Sequence, residues 1–176
     1  MTVDATGPEH PEVVLMCGVA GAGKTAIALS LEASGYVRLS VDEEVWAANG
    51  RFGIDYPASD YAALSLAARL RLRQQLIELV DARAHVVVDF SFWNQAARNE
   101  YKEIITEHGG RWRLIYLRVP ETELRRRLVE RSQRFDANAA FTVDDELLAS
   151  YLAGFEEPHD EGEQIIDWSA PDPEAC

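Results

Sequence analysis

A glycine-rich segment carries the residue types that bind phosphate groups. Residues 18–25 read GVAGAGKT and match the P-loop pattern GxxxxGKS/T at every fixed position. Its glycines let the backbone turn tightly and aim N–H groups inward, and a helix that follows presents its positive end to the phosphates. Lys24 would reach the β- and γ-phosphates, and the Thr25 hydroxyl would bind Mg²⁺. The predicted nucleotide-binding residues are Gly18, Val19, Ala20, Gly21, Ala22, Gly23, Lys24 and Thr25.

Two other interpretations of this segment are weaker. A chance glycine-rich turn is disfavoured, because the motif requires a lysine and the chain contains only Lys24 and Lys102. A dinucleotide-binding GxGxxG turn needs no lysine, and it needs an acid after the second strand at a distance that this chain does not match. The motif therefore favours a nucleoside triphosphate such as ATP with Mg²⁺, and it does not decide between ATP and GTP.

Two acids follow predicted strands and would lie at the same sheet edge as the P-loop. Asp42 follows the second strand and Asp89 ends the third, and the carboxyl ends of parallel strands share one edge. Phosphoryl transfer needs an acceptor hydroxyl whose proton is accepted, and a carboxylate can accept it. For Asp42 the alternative is a structural role as the acid at the second position of a helix, where the helix dipole favours it, because Ser40 and Glu43 form an S-x-x-E capping box. For Asp89 the alternatives are a bond to a neighbouring turn and a role in holding Mg²⁺ or orienting substrate.

Aromatic residues and one irregular segment are candidates for the acceptor side of the cleft. Residues 90–93 read FSFW and place Phe92 and Trp93 at the mouth of the predicted cleft. There they would either form a wall of an acceptor pocket or pack as core beneath a loop. Residues 46–61, which include Arg51, lack regular periodicity and are predicted to form a substrate-binding flap.

An arginine-rich segment is predicted to form a helix that faces the phosphates. Residues 121–135 contain five arginines, and Arg127, Arg131 and Arg134 share one helical face because they are four and three residues apart. Arginines on that face would contact the transferring phosphoryl group. The alternative is a solvated helix stabilised by pairs four residues apart, Glu123 with Arg127 and Glu130 with Arg134.

The elements that must position these residues alternate between strand and helix. Short apolar runs predict strands at residues 13–17, 36–41, 86–88, 112–119 and 164–168. Helical stretches are predicted at residues 26–31, 60–81, 94–108, 121–134 and 143–154. Such alternation predicts an α/β fold with a parallel sheet, helices on both of its faces, and ligands at the carboxyl ends of the strands.

The composition indicates one domain and disfavours nucleic acid and anionic membranes as partners. The 176 residues, 47% of them apolar, can bury one sizeable core but are few for two independent domains. Thirty acidic residues against 17 basic ones give a net charge of −13, which argues against broad attraction to nucleic acid or to a membrane. Neither a membrane-spanning run nor a signal peptide is recognisable, so we expect a cytoplasmic protein. We expect a domain at residues 13–168 with a lid at about 125–142, and mobile tails at 1–12 and 169–176.

Four segments read together resemble a known group of enzymes. They are GVAGAGKT, RLSVDE, VVVDFSFWNQAAR and RLIYLRVPETELRRRLVER, and the similarity extends over roughly residues 13–168. The set resembles the zeta-toxin and polynucleotide-kinase-like group of small P-loop kinases, which includes chloramphenicol phosphotransferase and gluconate kinase. This resemblance implies a three-layer P-loop fold of the adenylate kinase type, with a five-stranded parallel sheet and an arginine-bearing lid.

The resemblance also implies roles for individual residues. Asp42 matches the acid after the second strand and is the implied general base. Arg127 and Arg131 match an RxxxR pair that contacts ATP phosphates or stacks on adenine. Asp89 matches the acid that ends the third strand, and Arg98 matches an arginine of the following helix with a substrate-binding or structural role.

Together these features imply an ATP-dependent kinase that phosphorylates a hydroxyl of a small molecule such as a metabolite or an antibiotic. Two alternatives stay open. One is a kinase for the 5′-hydroxyl ends of polynucleotides, which the acidic composition disfavours. The other is a nucleotide-dependent switch or toxin-like regulator that acts through a protein partner. The group phosphorylates sugars, antibiotics and nucleic-acid ends on one scaffold, so the P-loop does not identify the acceptor.

Overall fold

A five-stranded parallel sheet forms the centre of the computed structural model, which describes residues 10–168. The strands are β1 (Glu12–Cys17), β2 (Val37–Leu39), β3 (Val86–Val88), β4 (Arg111–Arg118) and β5 (Glu163–Asp167). Neighbouring strands pair in parallel in the order β2-β3-β1-β4-β5. The predicted α/β fold with a five-stranded parallel sheet is confirmed.

Six α-helices connect the strands within the described residues. They are α1 (Lys24–Ala33), α2 (Val41–Asn49), α3 (Tyr61–Asp81), α4 (Gln95–Glu107), α5 (Glu121–Arg131) and α6 (Asp145–Gly154). Ser40, Asn94 and Asp144 cap α2, α4 and α6, because each side chain accepts a hydrogen bond from a backbone N–H three residues later. None of these helices is both long enough and apolar enough to cross a membrane.

The apolar sequence of the central strands places one core on each face of the sheet. In β1, Val13 and Leu15 pack in one core, whereas Val14 and Met16 pack in the other, because successive side chains of a strand point to opposite faces. Buried residues of α3 and α4 cover the first face, and buried residues of α1, α5 and α6 cover the second. This layering fixes the carboxyl ends of β1, β2 and β3 at one edge of the sheet.

Some boundaries differ from the sequence-based prediction. The second strand stops at Leu39 rather than at residue 41, because Ser40 begins α2, a helix that the prediction treated as strand end and irregular flap. Helix α5 ends at Arg131 instead of at residue 134. Glu12, which was assigned to the amino-terminal tail, lies in β1. The rest of that tail up to residue 9, and the tail at 169–176, lie outside the described residues.

Candidate active site

The P-loop connects β1 to α1 and holds a shape that requires glycine. Gly21 and Gly23 have φ angles of +84° and +101°, in a region that residues with a side chain rarely adopt. A Cβ atom on Gly21 would also lie 3.2 Å from Cγ of Leu128 in α5. Glycine therefore lets the loop close against α5 while residues 19–21 and 23 line a cavity.

The amide N–H groups at the start of α1 are available to an anion. Gly23 caps this helix and offers no side-chain acceptor. Over residues 10–168, no hydrogen bond uses the N–H groups of Gly23, Lys24 or Thr25. Unpaired N–H groups at the start of a helix carry partial positive charge and bind phosphate groups well. The loop thus has the donors that the nucleotide prediction requires.

Lys24 directly follows Gly23 and lines the same cavity as the P-loop. Its Nζ donates to the carbonyl oxygens of Gly18 and Val19 at 2.8 and 2.9 Å. Burial lowers the pKa of Lys24 to about 8, while the nearby carboxylate of Asp89 acts in the opposite direction. A phosphate group next to this ammonium would favour its charged form. Lys24 therefore lies where an anionic ligand can bind, and such a ligand would stabilise its buried ammonium.

A cavity of about 750 Å³ extends from the P-loop to the predicted acceptor side. This volume lies within the range of sites that bind small molecules. Its walls include the predicted site residues Val19, Ala20, Gly21, Gly23, Lys24, Thr25, Asp42, Asp89, Trp93, Arg127 and Arg131. The structure therefore brings both predicted acids and both predicted arginines to the same space as the P-loop.

Asp42 lies in the first turn of α2 and is half-buried beside this cavity. The Tyr61 hydroxyl of α3 donates to Asp42 Oδ1 at 3.0 Å. Burial raises the pKa of Asp42, and the hydrogen bond from Tyr61 partly offsets this effect. Ser40 caps α2 as the alternative interpretation expected. Because Ser40 provides the cap, the Asp42 carboxylate is left to face the cavity.

Asp89 follows β3 and is held by an arginine of the neighbouring strand. Arg38 of β2 donates to Asp89 Oδ2 through Nε at 3.0 Å and through Nη2 at 2.7 Å. Only this oxygen is used, so Oδ1 of Asp89 makes no hydrogen bond within residues 10–168. The Thr25 hydroxyl and the Asp89 carboxylate line the same cavity. One hydroxyl and one carboxylate oxygen suit Mg²⁺, which usually takes few protein ligands and completes its octahedron with water and phosphate oxygens.

Helix α5 places two arginines against the P-loop side of the cavity. Arg127 Nε donates to Glu123 Oε1 at 2.6 Å, and Nη1 donates to the Ala22 carbonyl at 3.1 Å. Arg131 lines the cavity with its Nε buried and without a hydrogen-bond partner. The pair between Glu123 and Arg127 agrees with the solvated-helix alternative, whereas the expected pair between Glu130 and Arg134 does not form. Arg134 lies beyond the helix end and binds Asp136 at 2.6 Å.

Three predicted substrate contacts lie away from the cavity. Arg98 is completely buried and donates to Glu161 Oε1 at 2.6 Å and to the backbone oxygens of Phe92 and Glu156. Arg51 is exposed and paired with Asp55 at 2.8 Å. Phe92 packs in the core with its ring 4.9 Å from that of Tyr101. Existing partners occupy all three side chains, so the structure does not support these substrate contacts.

The structure adds cavity residues that the sequence interpretation did not select. Helix α3 contributes Tyr61, Ser65 and Arg69, which line the cavity from one stripe because they are four residues apart. Their spacing of four residues within the predicted helix was the available signal. Arg38 was missed as well, because its partner Asp89 is 51 residues away in the sequence.

A family model described as an AAA domain matches residues 13–158 of this chain. No curated protein matches the chain. The match begins in β1, contains the P-loop and both predicted acids, and extends past α6. It therefore covers every residue of the cavity described above.

Solved structures share this fold at low sequence identity. A gluconokinase from Sinorhizobium meliloti 1021 is 20% identical over 93% of this chain and 85% of its own, with a TM-score of 0.58. The APS kinase CysC from Mycobacterium tuberculosis, solved with AMPPNP and APS, is 16% identical over 93% and 92%, with a TM-score of 0.58. A chain of the Pnkp1/Rnl/Hen1 RNA repair complex is 18% identical over 88% and 49%, with a TM-score of 0.60. The predicted resemblance to small P-loop kinases is confirmed at the level of the fold.

Proposed function

The chain belongs to the AAA domain family, whose model matches residues 13–158, and on that premise we propose that it is an ATP-dependent phosphotransferase. It moves the γ-phosphoryl group of ATP to a hydroxyl of a small molecule such as a metabolite or an antibiotic. The observation that carries this proposal is that Lys24 and Asp42 line one cavity of about 750 Å³. Such a site has a phosphate-binding cation and a base within the same space.

The nucleotide half of the reaction uses the P-loop and α5. The free N–H groups at the start of α1 and the Lys24 ammonium bind the β- and γ-phosphates. Arg127 and Arg131 neutralise charge that develops on the transferring group, within a lid that we propose at about residues 125–142. The APS kinase with the same fold was solved with the ATP analogue AMPPNP, which supports ATP as the nucleotide.

Mg²⁺ is the expected metal, and the Thr25 hydroxyl and free Asp89 oxygen would hold it. When bound, Mg²⁺ supplies positive charge to the β- and γ-phosphate oxygens. Arg38 fixes the orientation of Asp89 through Oδ2, so this carboxylate turns the same oxygen toward the cavity in each cycle. Arg38 is therefore a positioning residue in this proposal.

The acceptor half of the reaction uses Asp42. Its carboxylate takes the proton from the acceptor hydroxyl, whose oxygen forms the new bond to the γ-phosphorus. The bond between the γ-phosphorus and the bridging oxygen breaks, and ADP leaves with the electron pair. The Tyr61 hydroxyl holds Asp42 by its Oδ1, which leaves Oδ2 as the oxygen that accepts the proton.

A phosphate-transfer assay tests this function. The protein is incubated with Mg²⁺ and ATP together with hydroxylated metabolites, antibiotics and short 5′-hydroxyl oligonucleotides. ADP release is followed continuously, and mass spectrometry identifies acceptors that gain one HPO₃ group. We expect transfer to small molecules and none to oligonucleotides, because a net charge of −13 repels the phosphate backbone. Transfer only to oligonucleotides, or nucleotide binding without any transfer, would overturn the small-molecule proposal.

A further inference from the structure

Arg69 of α3 is a cavity-lining arginine without an acidic partner. It makes no hydrogen bond or ion pair with any described residue, and its Cζ lies 5.8 Å from the centroid of the Phe90 ring. Two other arginines of the cavity are paired, Arg127 with Glu123 and Arg134 with Asp136, whereas Arg131 lies on the α5 side with its Nε buried and without a partner. An arginine held against an aromatic face keeps its guanidinium donors available to an anion. Arg69 is therefore the free cation of the α3 wall.

Exposed apolar side chains flank Arg69 on the same wall. Leu66 is 59% exposed and Trp93 is 43% exposed, although both line the cavity. The Trp93 ring rests against the end of α6, where a Cβ on Gly154 would lie 3.1 Å from Cζ3 of Trp93. Apolar surface of this kind gains free energy when an apolar part of a ligand covers it.

The positions along α3 give the length of the ligand that this wall fits. Tyr61 binds Asp42, the proposed base, and Arg69 follows Tyr61 by eight residues on the same helix. Eight residues of α-helix rise by about 12 Å. A hydroxyl at Asp42 and an anionic group at Arg69 are therefore on the order of 10 Å apart, with Leu66 between them along the helix.

We infer that the phosphate acceptor is an elongated anion with a hydroxyl at one end and an apolar, ring-containing middle. The hydroxyl lies at Asp42, the ring contacts Leu66 and Trp93, and a carboxylate or phosphate group binds Arg69. Both anions match the planar donors of a guanidinium. This inference rests on the proposed function and adds the chemical class of its acceptor.

Matched pairs of acceptors that differ only in charge test this inference. The first pair is 4-(hydroxymethyl)phenylacetate and 4-(hydroxymethyl)phenylacetamide, which have the ring and the required spacing. The second pair is 4-(hydroxymethyl)benzyl phosphate and 4-(methoxymethyl)benzyl alcohol, in which the anion is a phosphate. The third pair, gluconate and glucitol, has hydroxyl groups but no apolar middle. The ratio of kcat/KM for the anionic and the neutral member is measured for each pair.

We expect at least one ring-containing pair to favour its anionic member by about 10-fold or more in the native protein. The pair that responds tells whether the anion is a carboxylate or a phosphate. In Arg69→Gln the ratio falls toward one, and in Arg69→Lys it takes an intermediate value, because lysine keeps the charge without the planar donors. The control is Arg73→Gln, one turn further along α3, where the arginine pairs with Glu100. In this control the ratio stays at the native value.

Several outcomes would contradict the acceptor class. They are equal rates within both ring-containing pairs, a ratio that survives in Arg69→Gln, and transfer to gluconate or glucitol in preference to the ring-containing compounds. In each of these cases the proposed phosphotransferase activity stands. Binding of Mg²⁺ and AMPPNP with no transfer to any of the six compounds also counts against the acceptor class. A failure to bind AMPPNP, measured separately by calorimetry, would instead remove the proposed function itself.

Discussion

The nucleotide side and the acceptor side of the cavity are built in different ways. On the nucleotide side, one continuous segment of eight residues at 18–25 supplies the loop, the helix start and Lys24. On the acceptor side, α2 supplies Asp42, α3 supplies Arg69, and the segment after β3 supplies Trp93. Backbone N–H groups bind any phosphate chain, whereas side chains from separate elements select one acceptor. Chemistry common to many proteins is thus encoded locally, and specificity is encoded by tertiary structure.

Burial acts on a charged group of each side. It lowers the pKa of Lys24 to about 8 and raises the pKa of Asp42, since burial disfavours the charged form of both groups. Their compensating partners differ. Among residues 10–168, the Lys24 ammonium donates only to carbonyl oxygens, whereas Asp42 accepts a hydrogen bond from Tyr61. A bound anion would therefore stabilise the charged form of Lys24, whereas the Tyr61 hydroxyl already stabilises the charged form of Asp42.

The largest effect is expected from Lys24→Met. Transfer falls by about 10³-fold, because the charge that stabilises the transferring phosphoryl group is lost. The melting temperature of the nucleotide-free protein does not fall. The pKa of Lys24 is lower in the folded protein than in the unfolded chain, so burial of the ammonium destabilises the fold at neutral pH. Coupled ADP release and differential scanning calorimetry measure the two effects.

The other lysine of the chain provides the control for Lys24. Lys102 donates to the backbone oxygen of Glu161 at 2.9 Å and to its carboxylate at 3.3 Å. Lys102→Met therefore lowers the melting temperature and leaves the rate of transfer at temperatures below unfolding close to native. If Lys24→Met kept native activity, the P-loop would not bind the reacting phosphates. Residues 18–25 would then not form the nucleotide side of the cavity.

A second large effect is expected from Asp42→Asn, on the acceptor side. The loss of a general base lowers kcat by about 10²-fold, whereas the KM for ATP changes by less than about threefold because the P-loop is untouched. Steady-state kinetics with the identified acceptor measures both constants. Glu44→Gln is the matched control on the same helix, since Glu44 pairs with Arg71 at 2.9 Å and does not line the cavity.

The pH dependence of transfer sharpens this assignment. A base must be deprotonated, so kcat/KM for the acceptor falls as the pH drops through the pKa of Asp42. Burial raises that pKa, and the acid limb therefore lies at higher pH than for an ordinary aspartate. The limb disappears in Asp42→Asn. A native rate in this variant, or an unchanged acid limb, would mean that another group accepts the proton.

The two sides also differ in how much of them could be predicted from the sequence. The P-loop, the strands on either side of it and the positions of Asp42 and Asp89 follow from patterns within short segments, and the structure places them together. The α/β fold follows from the alternation of these segments. Local patterns are sufficient where neighbouring residues in the chain are also neighbours in space.

The sequence left alternatives undecided where the partner of a side chain lies far away along the chain. Arg98 stayed open between a substrate-binding and a structural role, because its partner Glu161 is 63 residues further along the chain. Arg69 was not selected, because an exposed arginine in a charged helix has no local feature that marks it as a wall of the cavity. Helix α2 was indicated only by the S-x-x-E box at Ser40, because its nine residues give little periodicity. Only the folded structure shows that Arg98 has an acidic partner, whereas Arg69 has none among residues 10–168.

The smallest effect on transfer is expected from Arg98→Ala, even though Arg98 is the least exposed arginine of this comparison. Arg98 and Lys102 hold the Glu161 carboxylate, and Arg98 lowers the pKa of Glu161. Removing one partner of a buried pair leaves an uncompensated charge and costs about 3–5 kcal/mol of unfolding free energy. Chemical denaturation measures this loss. The KM values for ATP and acceptor stay within about twofold of native at temperatures where the variant is folded, because no cavity residue is removed.

The triple variant Arg98→Met/Lys102→Met/Glu161→Leu separates a structural role from a substrate-binding one. Apolar side chains of similar volume replace a buried ionic triad at little cost, so this variant recovers most of the stability that Arg98→Ala loses, and it leaves no charge of the triad unpaired. Under a structural role, the acceptor KM is native in both variants. Under a substrate-binding role, the acceptor KM rises in both variants, whatever their stability. A rise of about 10-fold in the stable triple variant would return Arg98 to the acceptor site, and the acceptor side would then extend beyond the cavity to the loop before β5.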